Sequence, residues 1–388
     1  MRTVVFVTDH PYLSCSGRVL SHSSLGPEYL TPIKAGFSTC VVVARCRRCG
    51  GVSSRCGVMW KPADGAVNYP LGHSHGVVWH VLGGWKTRRA LQAVLEVTEA
   101  PIALWLRGPS VSMQSAARWA TRHGVPYGVE IAGDPADSIV EFLPRGGRAI
   151  APLLRRRFRG IVSRAVAVTS TSESLLREFP NSPGAHAGVV SNVRLDDRWF
   201  AAKAKSYPSR LGNALTAVMV SGLVPIKDHV TAIRGASMSQ LVARLVIVGD
   251  GPEAHRLKRL ALQVRGSLCT DFLGHVDSRE ELAEIISGSD IFVNSSISEG
   301  LPRAALEAMA RGLPVVASTS SGLRDYIDER MLFHPRSPEA LADVLDRLDG
   351  ATLSRASAEN LATARGFDVA RLDARKAAIV ESLRGTMR

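Results

Sequence analysis

Long hydrophobic runs are absent from this sequence, and none of its apolar stretches approaches the ~20 residues that a membrane-spanning helix needs. The first residues contain a short apolar stretch, Val4 to Val7, which is typical of a first β-strand and too brief for the core of a signal peptide. The sequence alone therefore predicts a cytoplasmic protein. At 388 residues the chain is long enough for two domains with proper cores.

Cysteine is also scarce, with six residues, and disulfide bonds are not expected in the cytoplasm. Four cysteines lie close together, at Cys40, Cys46, Cys49 and Cys56, but among them only Cys46 and Cys49 have C-x-x-C spacing. A structural zinc site usually shows two well-spaced ligand pairs. We therefore predict free thiols, with metal binding by this cluster as the alternative.

Acidic residues are few in the first half of the chain. Residues 1–200 hold 24 Lys or Arg against 13 Asp or Glu, whereas residues 201–388 hold 24 against 22, so nearly all of the net charge of +13 lies in the first half. The densest basic cluster runs from Arg155 to Arg159. Such a face is either merely solvated or attracts anionic lipid headgroups or an anionic acceptor. No nucleic-acid-binding module is recognisable, so nucleic acid is not a predicted partner.

Short apolar segments of strand length alternate with longer segments of helical composition along most of the chain. Strands separated by helices predict a parallel, doubly wound α/β sheet, whose ligands bind at the carboxyl ends of the strands. In the first half we predict strands at residues 3–8, 40–45, 77–82, 103–106, 126–131 and 165–169, with helices at 86–98 and 112–123. In the second half we predict strands at 217–220, 245–248, 270–273, 291–294 and 314–317.

The run EGLPRAALEAMARGLPVVAS, residues 299–318, combines two carboxylates with a helix start. Pro302 suits a first helical position, good helix formers follow it, and Gly312 ends the helix. Glu299 then lies in the preceding loop and Glu307 in the helix. A helix N-terminus favours a phosphate group, and a carboxylate beside it can accept hydrogen bonds from sugar hydroxyls. The arrangement predicts a nucleotide-sugar site.

This run resembles the E-x7-E motif of glycosyltransferase family four, the retaining transferases of GT-B fold. Three upstream segments are similar to that family's donor-binding segments in order and spacing, namely Val220–Lys227, Val246–Glu253 and Phe272–Val276. The similarity covers residues 215–345. It implies an α/β protein of GT-B fold, in which two Rossmann-like, doubly wound domains face a cleft.

The resemblance also implies a division of the chain into domains. Residues 1–196 are expected to form the acceptor-side domain, and a C-terminal helix within 366–388 is expected to cross back and complete it. The polar stretch 197–213, which contains Pro208, is the predicted linker. Residues 214–365 are expected to form the domain that binds the nucleotide-sugar.

By resemblance, Glu299 lies near the transferred sugar, Glu307 accepts hydrogen bonds from the ribose hydroxyls, and Lys227 stabilises the departing diphosphate. The chain departs from the family at Gly222, where the family usually has an arginine. Arg303, or backbone N–H groups, would then supply that phosphate contact. Enzymes of this fold generally need no metal, so no metal or cofactor is expected. The likeness implies further donor contacts from Gly300, Leu301, Gly274, His275 and Val276.

The first half contributes less distinctive signals. Gly17 follows the first predicted strand, and a glycine there lets the backbone approach a phosphate closely. The family often has a histidine near the reacting sugar, and Asp134 lies in the corresponding segment of this chain. We predict that Asp134 positions the acceptor or acts as a base, and that Arg107 holds an anionic group. For Asp134, the capping of a turn is the alternative.

Together these features predict a retaining glycosyltransferase that moves a sugar from a nucleotide-diphosphate sugar to a glycan or lipid-linked acceptor, in the synthesis of cell-surface polysaccharide or glycoconjugate. The basic first half predicts peripheral attachment to the anionic inner face of a membrane. Two alternatives stay open. One is a GT-B nucleotide-sugar isomerase or epimerase, and the other is a catalytically degenerate subunit that binds a sugar nucleotide.

Overall fold

The computed structural model describes residues 2–15, 18–21, 27–48, 61–62, 66–71, 76–98, 101–136, 139, 146–209, 211–212, 215–264 and 268–387. The chain divides into two compact units. The first comprises Met1–Asn192 together with Leu372–Arg388, and the second comprises Val193–Arg371.

The first unit is built on a nine-stranded sheet. Its strands are β1 (Thr3–Cys15), β2 (Arg18–Ser21), β3 (Thr39–Arg48), β4 (Lys61–Pro62), β5 (Ala66–Pro70), β6 (Ile102–Gly108), β7 (Tyr127–Ile131), β8 (Ala167–Ser170) and β9 (His186–Val189). The strands β5-β3-β1-β6-β7-β8-β9 are parallel neighbours in that order, so the winding direction reverses at β1. β2 pairs antiparallel with the end of β1 and with β4.

The central strands of this sheet are apolar along their whole length because both faces of the sheet are covered. Val4 and Phe6 of β1 and Leu104 and Trp105 of β6 are fully buried. A single cluster of buried side chains joins one face of these strands to the helices above it.

Among the described residues, the first unit contains the helices α1 (Pro27–Lys34), α2 (Gly76–Val97), α3 (Val111–His123), α4 (Gly147–Val162) and α5 (Glu173–Glu178). The strand predicted at residues 77–82 is wrong, because these residues form the first turns of α2. A short apolar run fits a buried strand and a helix equally well, and here the helical pattern that follows it extends back through the run.

The predicted helix at 112–123 is confirmed: Ser110 caps α3 by accepting from Met113 N at 3.1 Å, and Gly124 ends it at φ 64°.

The second unit contains a six-stranded, wholly parallel sheet. Its strands are β10 (Leu215–Val220), β11 (Val242–Val248), β12 (Cys269–Gly274), β13 (Ile291–Asn294), β14 (Val315–Ser318) and β15 (Leu332–Phe333). Their order is β12-β11-β10-β13-β14-β15, so the winding direction reverses between β10 and β13. In a doubly wound sheet the ligand binds at the carboxyl ends of the strands at this switch point.

In the described part of the chain, six helices accompany this sheet, and a seventh begins in the second unit. The six are α6 (His229–Met238), α7 (Ala254–Gln263), α8 (Arg279–Ser287), α9 (Arg303–Ala310), α10 (Pro338–Asp346) and α11 (Gly350–Arg365), and the seventh is α12 (Val369–Gly385). The doubly wound α/β architecture predicted from the sequence is therefore confirmed in both units. Within the described residues, none of the helices has the length and apolar character needed to cross a bilayer.

Helix α12 begins in the second unit and continues into the first, to which its residues from Leu372 onward belong. Lys376 is buried there, and its Nζ donates to Glu130 Oε2 of β7 at 3.0 Å. Arg107 Nε also donates to Glu130, at 3.1 Å, and Tyr29 Oη makes a further short hydrogen bond to it. Burial alone would raise the pKa of Glu130, but the two cations and the tyrosine hold that pKa well below its usual range.

The described residues of the predicted linker, 197–209 and 211–212, lie within the second compact unit, and a linking role for this stretch stays a prediction. Tyr207 Oη donates to Asp290 O at 2.6 Å, and Lys205 N donates to Ser357 Oγ at 2.7 Å. These hydrogen bonds join the stretch to residues at the second sheet and its helices.

The cysteine cluster is only partly described. Cys40 is a free, buried thiol in β3, and burial raises its pKa to about 12. Cys49 and Cys56 lie outside the described residues. Metal binding by this cluster therefore stays an alternative to free thiols.

Candidate functional site

The second unit contains a cavity of about 530 Å³ at the switch point between β10 and β13. It is bounded by the loops that follow β10, β11, β12 and β13 and by the N-terminus of α9. The lining residues are Val220, Ser221, Gly222, Lys227, Val248, Gly249, Asp250, His275, Val276, Leu282, Asn294, Glu299, Pro302, Arg303, Ala304 and Glu307.

Lys227 and Glu299, both predicted as catalytic, form an ion pair in this cavity. Lys227 ends a short 3-10 turn, Pro225–Lys227, and its Nζ contacts Glu299 Oε1. The other carboxylate oxygen, Oε2, accepts from Ser296 Oγ at 2.7 Å and from Asn294 Nδ2 at 3.3 Å. Three donors therefore fix the orientation of the Glu299 carboxylate.

The loops that carry these two residues are bonded to one another. Ser295 Oγ lies within hydrogen-bond distance of two backbone carbonyls, Lys227 O at 3.0 Å and Asp228 O at 2.9 Å. Ile297 N donates to Ile226 O at 2.8 Å. Because the backbones are joined, the distance between the Lys227 and Glu299 side chains is set by the fold as well as by their charges.

The N-terminus of α9 faces the cavity. Pro302 is its N-cap and Arg303 its first residue, and both line the cavity together with Ala304. The first backbone N–H groups of a helix have no partner within the helix, and the helix dipole adds positive potential there. This end of the cavity can therefore bind an anion such as a phosphate group.

Glu307 lies one turn further along α9 and also lines the cavity. Burial raises its pKa above the usual range, although Arg303 and Arg279 act in the opposite direction. Trp199 Nε1 donates to the backbone carbonyl of Glu307 at 3.1 Å. The side chain offers two acceptor oxygens to a ligand with paired hydroxyl groups.

Two glycines let the loops after β10 and β11 pack against each other. Gly249 has a φ of 134°, and a Cβ there would lie 2.0 Å from Ser221 O. A Cβ on Gly251 would lie 2.5 Å from Leu223 O. A side chain at either position would therefore collide with backbone atoms. By contrast, a Cβ on Gly222 would meet Asp250 O at 3.8 Å and nothing nearer.

The other predicted donor residues divide into two groups. His275 and Val276 line the cavity, on the loop after β12. Gly274 forms the turn before them, with a φ of 75° and its carbonyl accepting from Gly249 N at 2.7 Å. Gly300 accepts from Gly322 N at 2.7 Å, and Leu301 is buried, so these two shape the loop before α9 rather than the cavity wall.

The predicted residues of the first unit have partners within that unit. Asp134 accepts from Ala136 N at 2.7 Å and pairs with Arg155, whose Nε donates to Oδ2 at 2.8 Å. Arg107 pairs with the buried Glu130. The turn-capping alternative thus describes the contacts of Asp134, and acceptor binding by Asp134 and Arg107 stays a prediction. Gly17 lies outside the described residues.

Sequence analysis missed two polar residues of this site, Ser221 and Asn294. Each stands at the carboxyl end of an apolar strand, Ser221 directly after β10 and Asn294 as the last residue of β13. Such positions meet at the switch point of a doubly wound sheet. The polar residue at the end of each predicted strand was therefore the signal that could have identified them.

Comparison with known proteins identifies this part of the chain. Residues 206–359 match the family described as glycosyl transferases group 1, and the matched range includes the whole cavity. Within the second unit, residues 206–359 are thus similar to the group 1 glycosyl transferases. This match confirms the family resemblance drawn from the sequence.

Two bacterial proteins illustrate what the matched part of the chain and its surroundings are similar to. CapJ of Staphylococcus aureus is 24% identical over 270 residues, which are 68% of this chain and 66% of CapJ. A GDP-mannose-dependent phosphatidylinositol dimannoside mannosyltransferase of Mycobacterium tuberculosis is 28% identical over 247 residues, which are 61% of this chain and 62% of that enzyme. The chain thus spans just under two thirds of the length of each.

Solved structures resemble the chain over almost its full length. A crystal structure of HepE from Anabaena, in complex with UDP, covers 98% of this chain with a TM-score of 0.64 at 17% identity. Sucrose-phosphate synthase from Thermosynechococcus elongatus covers 99% with a TM-score of 0.68 at 16% identity. At these identities the likeness concerns the fold alone, and it confirms the predicted GT-B fold.

Proposed function

We propose that the chain transfers a glycosyl group from a nucleoside-diphosphate sugar to an acceptor hydroxyl, with retention of configuration. The observation that carries the proposal is the grouping of Lys227, Glu299 and Glu307 with the N-terminus of α9 around one cavity of the group 1 domain. A cation, a helix N-terminus and two carboxylates match the diphosphate, the sugar and the ribose of such a donor. The UDP and GDP-mannose in the names of the similar proteins support the same ligand class.

In the proposed reaction the bond between the anomeric carbon and the diphosphate breaks, and its electron pair leaves with the diphosphate. Lys227 and the first N–H groups of α9 stabilise the charge that develops on the leaving group. The acceptor oxygen bonds to the anomeric carbon on the face that the diphosphate leaves, and its proton passes to the departing phosphate oxygen. Glu307 holds the ribose hydroxyls, and Glu299 lies at the transferred sugar.

The test measures release of nucleoside diphosphate from UDP-glucose and GDP-mannose, with and without glycan and lipid-linked acceptors. Acceptor-dependent release and a product of unchanged anomeric configuration are expected. Glu299→Gln should lower turnover about 10²-fold, as for loss of one electrostatic partner of a transition state. Glu284→Gln, on the exposed face of α8, is the matched control. Sugar interconversion without an acceptor, or binding without turnover, would overturn the proposal.

We also propose that the reaction needs no divalent cation, because the ammonium of Lys227, the guanidinium of Arg303 and the N–H groups of α9 face the diphosphate. Activity should therefore persist in excess EDTA. Complete loss of activity that magnesium or manganese restores would contradict this proposal.

We propose further that the acceptor is presented at an anionic membrane surface, which the first unit binds. Trp85 on α2 and Ile150 and Leu153 on α4 are exposed apolar side chains, 52%, 39% and 49% exposed. Exposed arginines accompany them on both helices, Arg88 and Arg89 on α2 and Arg148, Arg156 and Arg157 on α4. α3 packs against both helices. Arginines beside apolar side chains suit a membrane surface, where anionic headgroups cover an apolar interior.

Vesicle co-sedimentation tests this attachment. Binding to anionic vesicles and not to neutral ones is expected, with loss of binding at high salt because screening weakens the attraction. Reversal of charge at Arg156 and Arg157 should abolish binding, whereas Arg234→Glu on the second unit should not. Equal binding to neutral and anionic vesicles, or no binding to either at low salt, would show that the basic face is merely solvated.

A further inference from the structure

A second polar pair lies at the donor cavity beside the groups already described. Ser221 follows β10, is half-buried and lines the cavity. Its Oγ lies 3.0 Å from Nε2 of His229, which is only 2% exposed. The reaction proposed above uses neither side chain.

His229 is held firmly in this position because it is the first residue of α6. Asp228, the N-cap, has a left-handed backbone with φ 49° and accepts from Thr231 Oγ1 at 2.7 Å. Burial, and to a smaller extent the nearby Lys227 ammonium, lowers the pKa of His229 to about 4. The imidazole is therefore neutral at physiological pH and has one ring N–H to donate.

We propose that Ser221 is a diphosphate-binding residue of the donor site and that His229 positions it. The imidazole Nε2–H donates to Ser221 Oγ, and the serine O–H donates to a phosphate oxygen of the nucleoside diphosphate. An ionised diphosphate presents acceptor oxygens, so the serine has to donate towards it. The lone pairs of Oγ then stay available to the imidazole. This inference rests on the proposed function.

The surroundings of Ser221 explain why a hydroxyl is needed there. Gly222, the next residue, has no side chain, and the space around its Cβ position is open. The loop after β10 therefore brings no cation to the cavity before Lys227, and Lys227 itself is paired with Glu299. A serine hydroxyl oriented by a buried imidazole supplies a directed donor on this side of the cavity. Hydrogen bonds to charged groups are also stronger than those between neutral groups.

Calorimetric titration of the full chain with UDP and GDP, and with uridine and guanosine, tests the inference. Ser221→Ala should weaken binding of the diphosphate that the wild type binds by about tenfold, the order expected for a hydrogen bond to a charged group. Binding of the matching nucleoside should stay unchanged, because it lacks the phosphates. Ser221→Thr retains the hydroxyl and should keep most of the affinity.

A double-mutant cycle tests the role of His229. In a His229→Phe background the effect of Ser221→Ala should shrink, because the hydroxyl has already lost the group that orients it. His229→Gln keeps an N–H donor. It is the second variant to use if His229→Phe does not fold stably. Ser237→Ala, an exposed hydroxyl on the same helix, is the matched control and should change nothing.

The outcomes separate this inference from the proposed function. A wild type that binds no nucleoside diphosphate would overturn both. A wild type that binds a diphosphate, with Ser221→Ala binding it equally well, would overturn only the role of Ser221. Equal loss of nucleoside and diphosphate binding would show that Ser221 merely maintains the shape of the loop, and additive effects in the cycle would show that His229 does not position it.

Discussion

At the scale of single residues, the cavity of the second unit contains an acid whose charge depends on its surroundings. Burial raises the pKa of Glu307 above the 4.5 of an exposed glutamate, and Arg303 and Arg279 only partly oppose this effect. Glu307 therefore loses its charge at a higher pH than a surface glutamate does. A protonated carboxyl accepts fewer hydrogen bonds than a carboxylate.

Acidification should therefore weaken binding of the nucleoside part of the donor. As the pH falls from neutrality through the raised pKa of Glu307, we expect affinity for a nucleoside to fall about fivefold, the order of one hydrogen bond. A nucleoside is the better probe because it has no titrating phosphate. Titration calorimetry over the acid range measures the effect. Glu307→Gln should bind weakly at every pH, and a pH dependence that persists in this variant would assign the effect to another group.

Gly222 offers the opposite kind of test, in which a contact is added. A Cβ at this position meets Asp250 O at 3.8 Å, so a Cβ can be added there without backbone movement. Gly222→Arg should strengthen diphosphate binding about tenfold, because its guanidinium can reach the phosphates from the loop after β10. Gly222→Ala adds the Cβ without the charge and is the matched control. Calorimetry with UDP and GDP compares the affinities of the two variants. If Gly222→Arg binds the diphosphate no more tightly than Gly222→Ala, the diphosphate binds elsewhere.

At the scale of elements, the packing of the loops after β10 and β11 depends on Gly249. Its φ of 134° is unfavourable for any side chain, and an added Cβ would lie 2.0 Å from Ser221 O. Gly249→Ala should therefore displace the loop that carries Ser221, lower the melting temperature and weaken diphosphate binding. Gly222→Ala, on the neighbouring loop, should leave the melting temperature nearly unchanged. Thermal unfolding of the two variants compares them directly, and equal melting temperatures would contradict the collision.

Elements of the second unit were predicted more accurately than those of the first, for a physical reason. β10, β11, β13 and β14 are short apolar runs between clear helix signals, so length and composition agree on a strand. Residues 77–82 are equally apolar but continue into a helical pattern, and the sequence alone does not say where that helix starts. The antiparallel pair of β1 with β2 depends on tertiary contacts, which local composition does not encode.

The candidate site shows the same contrast. Glu299, Glu307 and Lys227 lie in a continuous motif or in a loop of recognisable spacing, so the sequence identifies them. Ser221 and Asn294 are 73 positions apart in the chain and come together because β10 and β13 are neighbours in the sheet. The order of the strands decides such pairs, and the order is fixed by the packing of the whole unit.

At the scale of the whole molecule, stability of the first unit should depend on a residue of α12. Lys376→Met would leave the buried Glu130 without one of its cations, and removal of one partner from a buried pair typically costs about 3–5 kcal/mol. Combination with Glu130→Gln should recover part of the loss, because the buried carboxylate charge that needs Lys376 is then also removed. Hydrogen exchange at the amides of β7 reports the first unit specifically.

The exposed pair of Arg384 and Glu381 on the same helix provides the control. Arg384→Ala should change protection in β7 little, since surface ion pairs contribute about 0–1 kcal/mol. If Arg384→Ala and Lys376→Met reduced protection equally, the effect would belong to α12 as a whole and not to the buried ion pair.

The return of α12 to the first unit has a consequence for the protein while it is still on the ribosome. Residues up to Asn192 emerge with Glu130 already in place, but Lys376 is made only after the entire second unit. At a synthesis rate of ~5–20 residues per second, the ribosome needs roughly 10–40 s to proceed from Asn192 to Lys376. During that time the nascent first unit carries a carboxylate without its lysine and a surface without its helix. The first unit therefore cannot complete its fold until the second unit has been synthesised. If translation stops before Lys376, the product is an incomplete first unit that chaperones and proteases can recognise.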